Sequence, residues 1–118
     1  MDRTFIEIQL FSKRWKELGF TEDDLMELQV QLLDNPDSGP IMTGTGGIRK
    51  IRHAFEGRGK SGSVRVCYVD FAEYGVIYLI TAFSKDEQAN LSDEEKNILK
   101  KLVKSLKAEA AKNYGGRK

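Results

Sequence analysis

Three apolar segments follow one another in the second half of the chain with almost no room between them. These are Ile48–Phe55, Ser63–Phe71 and Val76–Phe83, separated by the glycine-bearing stretches Glu56–Gly62 and Ala72–Gly75. Connections this short cannot cross over a sheet, so the three runs are expected to form an antiparallel meander. The first of them alternates Lys50 and Arg52 with Ile51, His53 and Phe55, the period of two that gives a strand one wet and one packed face. The other elements must arrange themselves around this sheet.

Ahead of it, Thr4–Leu10 alternates Phe5, Glu7 and Gln9 with Ile6, Ile8 and Leu10 and reads as a further strand. The period then changes. Phe11, Trp15 and Leu18 recur at helical spacing and stop at Gly19, while Thr21 with Asp24 resembles a capping box opening a helix through Leu25, Leu28 and Leu32. That helix is expected to end near Asn35–Pro36, and the Gly- and Pro-bearing stretch Asp34–Gly47 reads as a loop with no fold of its own. After the meander, Ser92 and Glu95 form a second capping box for a helix from about Asp93 to Ala111, with Leu99, Val103 and Leu106 on one face. The order β-α-α-β-β-β-α describes an α+β domain, a small twisted antiparallel sheet with helices packed on it. With 118 residues one core is expected, over residues 1–112, with residues 113–118 as a flexible C-terminal tail.

Composition removes several function classes. One cysteine, Cys67, and one histidine, His53, leave no disulfide framework, no cysteine-histidine metal site and no cofactor motif. Both fall inside strands, which favours packing roles. No run approaches the roughly 18 apolar residues needed to cross a bilayer, and the N-terminus lacks a signal-peptide core, so no membrane partner and a cytoplasmic location are expected. Gly44-Thr45-Gly46-Gly47 lacks the Gly-Lys-Ser/Thr ending of a phosphate loop and precedes a strand, so it reads as a turn.

Charge is more informative than its sum. The formal net charge is +1, yet Arg49–Tyr68 holds six cations (Arg49, Lys50, Arg52, Arg58, Lys60, Arg65) against Glu56 alone, while Thr21–Asp37 holds six acids and no base. The acidic helix reads as a solvated face. Arg65 interrupts an otherwise apolar strand. A cation there needs either a carboxylate, from Glu56 or near Asp70, or a groove meant for an anion. Clustered cations are suited to phosphodiester cleavage: they ease ionisation of a 2′-hydroxyl, hold the phosphate and stabilise charge growing on its oxygens and on the leaving 5′-oxygen. They also depress one another's pKa, which a lysine needs if it is to move a proton.

Several segments together resemble a known family: Arg49-Lys50-Ile51-Arg52, the turn ending Gly59-Lys60-Ser61-Gly62, the strand Val64-Arg65-Val66-Cys67-Tyr68, and Tyr78–Lys85 followed by an acidic-capped helix. They are similar to the RelE/HigB branch of the RelE/ParE toxins, over Thr4 to about Leu106. The resemblance implies a toxin of a type II toxin-antitoxin system, a ribosome-dependent mRNA endoribonuclease that leaves a 2′,3′-cyclic phosphate. It implies as partners the ribosome with its mRNA and a neutralising HigA-like antitoxin with a helix-turn-helix. Carried over by position, it implies catalytic roles for Lys50 and Arg52 (nucleophile activation and phosphate binding), Arg65 (transition-state stabilisation) and Lys85 (leaving group). Arg49, Arg58 and Lys60 are candidate RNA contacts. The pattern departs from the family in one respect: Asp86–Ser92 lacks the tyrosine some members carry there, so the general acid and the stacking residue are unassigned. The rival readings are a ParE-like inhibitor of DNA gyrase on the same fold and a non-catalytic RNA-binding module.

Overall fold

The computed structural model describes residues 2–55, 63–84, 87 and 91–115. Its elements run β1 (Thr4–Glu7), α1 (Gln9–Glu17), α2 (Glu22–Asp34), β2 (Arg49–Ala54), β3 (Ser63–Phe71), a short 3-10 turn (Ala72–Tyr74), β4 (Val76–Phe83) and α3 (Asp93–Tyr114). This is the expected α+β order.

Both capping boxes form. The Thr21 hydroxyl accepts from the Asp24 amide and the Asp24 carboxylate accepts from the Thr21 amide, with Ser92 and Glu95 repeating the arrangement on α3. Each box satisfies two amides that a helix start leaves open, and the acids of the first turn complement the helix dipole. Asn113 and Tyr114, placed by the sequence in the flexible tail, belong to α3, and Tyr114 packs against the core; residues 116–118 of that tail lie outside the described residues.

The strands stand in the order β1-β4-β3-β2. The meander β2-β3-β4 is antiparallel as expected, but β1 joins β4 in parallel, Thr4 opposite Val76 through Glu7 opposite Leu79, so the sheet is mixed. A strand's own side chains carry no information about its neighbour's direction, which here follows from the route through α1 and α2. Arg3 fastens the arrangement with a two-pronged pair to Asp70 at the end of β3, Nε to Oδ1 at 2.8 Å and Nη2 to Oδ2 at 3.2 Å.

Helices cover both faces. On one, Phe11 and Trp15 of α1 and Leu25, Leu28 and Leu32 of α2 pack against Ile51, Phe55, Val64, Val66, Tyr68, Ile77 and Leu79. On the other, Val103, Leu106 and Ala110 of α3 cover Ile48, Cys67, Val69, Phe71, Tyr78 and Ile80. The two central strands are therefore buried almost continuously, whereas the edge strand β2 alternates buried and exposed positions from Ile51 to Ala54.

The loop before β2 has no regular element yet is firmly held. It lies along the free edge of β2, with Lys50 N donating to Pro40 O (3.1 Å) and Met42 N to Ile48 O (2.8 Å). This covers amides and carbonyls that an edge strand would otherwise present to another chain. Gly39 is required for the close approach: a Cβ there would lie 3.0 Å from Lys50 O and 3.1 Å from Tyr68 Oη. Within Gly44–Gly47, the buried Thr45 hydroxyl donates to Met42 O (2.7 Å) and accepts from Ile48 N (3.1 Å), the structural turn the sequence suggests.

Candidate active site

Strand register decides which cations meet. Lys50 stands opposite Cys67 and Arg52 opposite Arg65, while on the far side of β3 Cys67 stands opposite Thr81 and Arg65 opposite Phe83. Directly paired residues share a face. Two rows therefore cross the sheet on the side that α3 covers: Lys50-Cys67-Thr81 and, one step nearer the end of the sheet, Arg52-Arg65-Phe83. Paired strand residues have Cβ atoms about 5 Å apart and diagonal ones about 7–8 Å, so the three cations form one patch.

The patch is not neutralised. Asp70, one of the carboxylates considered for Arg65, is engaged by Arg3; Glu56, the other, lies outside the described residues. Among the described residues Lys50, Arg52 and Arg65 take part in no salt bridge, and Arg65 Nη1 is buried with no hydrogen-bond partner. Arg52 is exposed, and Lys50 and Arg65 are half-buried. Two arginines directly opposite each other on neighbouring strands cost roughly 0.2–1 kcal/mol, and an unmatched buried donor adds about 1–3 kcal/mol. Such an arrangement is the opposite of what packing alone would select, and it provides donors free to receive an anion.

A β-bulge completes the site. The β3–β4 register shifts between Cys67 and Tyr68, which stand opposite Thr81 and Leu79, leaving Ile80 as the extra residue. Strict alternation from Tyr78 would put Ile80 and Ala82 on the α3 side; instead Ala82 turns to the α1 side and Phe83 to the α3 side. Bulges re-aim side chains in this way. An aromatic ring thus stands beside Arg65. Next to it a cavity of about 360 Å³, lined mostly by apolar side chains including Met42, Ile48, Cys67, Ile80, Phe83, Leu91 and Leu99, lies between the sheet and α3.

Arg49, His53 and Tyr68 are placed elsewhere. Arg49 stands opposite Tyr68, on the α2 side of the sheet, and its Nη1 donates to Asp37 O (3.2 Å) and Gly39 O (2.8 Å). It secures the edge loop and does not join the patch. Arg58, Lys60 and Lys85 lie outside the described residues. His53 is buried on the α2 side, bonded through Nδ1 to Gln31 Oε1 and through Nε2 to Glu27 Oε2 at 3.3 Å, with its ring edge-on to Phe55 at 4.5 Å. Tyr68 is wholly buried; its hydroxyl donates to Pro36 O (2.7 Å) and accepts from Gly39 N (3.2 Å).

Cys67 is buried between Lys50 and Thr81. Burial pushes its thiol up from the usual 9.0 to about 11, only partly offset by the Lys50 charge. At pH 8 the folded protein is expected to react slowly with iodoacetamide and the urea-unfolded chain rapidly, since only the thiolate attacks. The unfolded chain loses this proton first as pH rises, so stability should fall between pH 9 and about 11. A Cys67→Ala variant should lack that part of the decline in a denaturant titration against pH.

The family model described as the RelE toxin of the RelE / RelB toxin-antitoxin system matches residues 7–114. This chain belongs to the RelE toxin family. Its class is thus the toxin half of a toxin-antitoxin pair. Among solved structures, a double arginine-to-alanine mutant of E. coli toxin RelE in the free state superposes with a TM-score of 0.53 at 21% identity, over 71% of this chain and 84% of that one. At that identity the likeness concerns the fold. In this RelE family member the strand register brings the sequence candidates Lys50, Arg52 and Arg65 into one patch, and Phe83, not singled out from the sequence, comes to lie beside them through the bulge.

Proposed function

We propose that this RelE-family toxin is a ribosome-dependent mRNA endoribonuclease of the HigB-like kind, acting in the cytoplasm and silenced by a HigA-like antitoxin. The observation that carries the reading is the un-neutralised patch: Arg52 and Arg65 directly opposite each other, Lys50 diagonal to Arg65, and a buried Arg65 Nη1 with no partner. A phosphate entering there meets cations that no carboxylate among the described residues engages, one of whose donors is already desolvated, a condition that favours electrostatic stabilisation of a charged transition state.

In this reading the 2′-hydroxyl of one nucleotide attacks the adjacent phosphorus, the P–O5′ bond breaks, and a 2′,3′-cyclic phosphate and a 5′-hydroxyl result. Lys50, whose ammonium shares a face with two guanidinium groups, lowers the cost of ionising the 2′-hydroxyl. Arg52 holds a phosphate oxygen at the solvent side. Arg65 supplies donors to the oxygens that gain charge in the pentacoordinate state. Lys85 is assigned to the leaving 5′-oxygen, and Arg58 and Lys60 to flanking phosphates.

Inducing the protein in bacteria, with and without its antitoxin, and mapping mRNA 5′ ends tests this. Growth arrest with new ends confined to translated messages, abolished by co-expressed antitoxin, is the expected result. Arrest with intact messages and impaired supercoiling would replace the proposal by gyrase inhibition, and binding to ribosomes without new ends would replace it by a non-catalytic RNA-binding role.

A further inference from the structure

Strand β4 outruns its neighbour. β1 pairs with it only as far as Leu79, the last contact being Ile8 N to Leu79 O at 3.1 Å. From the bulge onward, the edge of β4 facing away from β3 has no strand beside it among the described residues, yet these residues carry Phe83 to its place opposite Arg65. A strand end paired on one side only, just past a bulge, is the part of a sheet most ready to fray.

Arg14 of α1 fills the gap. Its Nε donates to Ala82 O at 3.0 Å, taking the place of the missing strand's amide, and its Nη2 meets Glu87 Oε1 at 2.6 Å. The same Glu87 oxygen accepts from Ser84 N at 2.8 Å. One guanidinium thus ties Ala82 of β4 to Glu87, and Nη1 is steadied from behind by Glu17 at 2.8 Å. Glu87 and Arg14 also line the cavity that Cys67 and Phe83 line. The pair is only partly buried, with side-chain exposures of 23% and 45%, so it is not part of the core. Guanidinium suits the task because its planar fork can serve a carbonyl and a carboxylate at once, which an ammonium cannot match.

The geometry points to Arg14 as a positioning residue for cleavage, acting through Ala82 and Glu87 to hold the end of β4, and hence Phe83, in register with Arg65. This rests on the nuclease reading above. Arg14 touches no reacting atom, so its effect is on rate through placement; displacement of about 1 Å at a reacting centre can cost on the order of 100-fold.

The test is single-turnover cleavage of programmed ribosomes by wild type, Arg14→Met, Arg14→Lys, Glu87→Ala and the double variant Arg14→Met/Glu87→Ala. Ribosome affinity, thermal unfolding and hydrogen exchange at the Ser84 amide are measured alongside. Arg14→Met is expected to slow cleavage on the order of 10- to 100-fold with affinity and melting temperature nearly unchanged, and to speed exchange at Ser84. Glu87→Ala should slow cleavage too, and the double variant should be no slower than Arg14→Met, because both act through one clasp. Arg14→Lys, which keeps the charge but loses the fork, should fall between wild type and Arg14→Met. The inference is overturned if Arg14→Met cleaves at the wild-type rate, if its loss follows melting temperature or affinity, or if the two single effects multiply. A wild type that cleaves nothing would overturn the nuclease reading and the positioning role together, a result distinct from a cleaving wild type with an unimpaired Arg14→Met.

Discussion

Arg65→Met should abolish most cleavage while making the protein more stable. Methionine keeps the unbranched apolar stem that a half-buried strand position needs, and it removes both the charge facing Arg52 and the buried Nη1 that has no partner. Relief of the like-charge pair and of the unmatched donor should raise the unfolding free energy by about 1 kcal/mol, or the melting temperature by roughly 4 °C for a domain of this size. Cleavage should fall about 100- to 1000-fold, the usual cost of losing one donor to a charged transition state. Ribosome affinity should change far less, since the exposed cations supply the long-range attraction. Thermal melts with single-turnover assays check both halves. A destabilised Arg65→Met would mean that the guanidinium serves the fold, and equal losses of rate and affinity would mean that it only grips.

The second large effect has the opposite sign in stability. Phe11 is fully buried, stacks on Trp15 with ring centroids 5.2 Å apart, and belongs to the cluster that seats α1 and α2 on the sheet. Phe11→Ala removes that ring and leaves a void, at a cost of about 3–5 kcal/mol. Natural domains have about 5–15 kcal/mol in hand, so denaturant midpoints should drop by about a fifth or more. The same substitution loosens the seat of α1, and with it Arg14, three residues on. Any activity that survives should therefore fall with folded fraction and beyond it. A midpoint within a tenth of wild type would show that α1 contributes little to this core.

The two substitutions separate two kinds of residue that the sequence displays differently. Phe11 announces itself by spacing: with Trp15 and Leu18 it makes an apolar stripe, and only burial accounts for such a stripe. Arg65 announces itself by conflict, a charge in an otherwise apolar strand. Residues that break a local rule are where function is to be sought, and the structure leaves this one without a carboxylate among the described residues. Arg49 shows the limit of counting charges. It sits next to Lys50 in the same basic run, yet strand alternation sends it to the other face, where it holds the carbonyls of Asp37 and Gly39.

Local chemistry was enough to specify the elements: period-two and helical patterns, two capping boxes and short glycine turns act within a few residues and leave their mark in neighbouring positions. They gave the α+β order, the antiparallel meander and the common face of Lys50 and Arg52. The parallel seat of β1, the bulge at Ile80 that turns Phe83 toward Arg65, the edge loop clamped on β2, and the reach of Arg14 to partners 68 and 73 residues away needed the folded chain. Each is a relation between segments distant in sequence, fixed by which surfaces fit and which backbone groups lacked a partner, and no single segment carries a record of that.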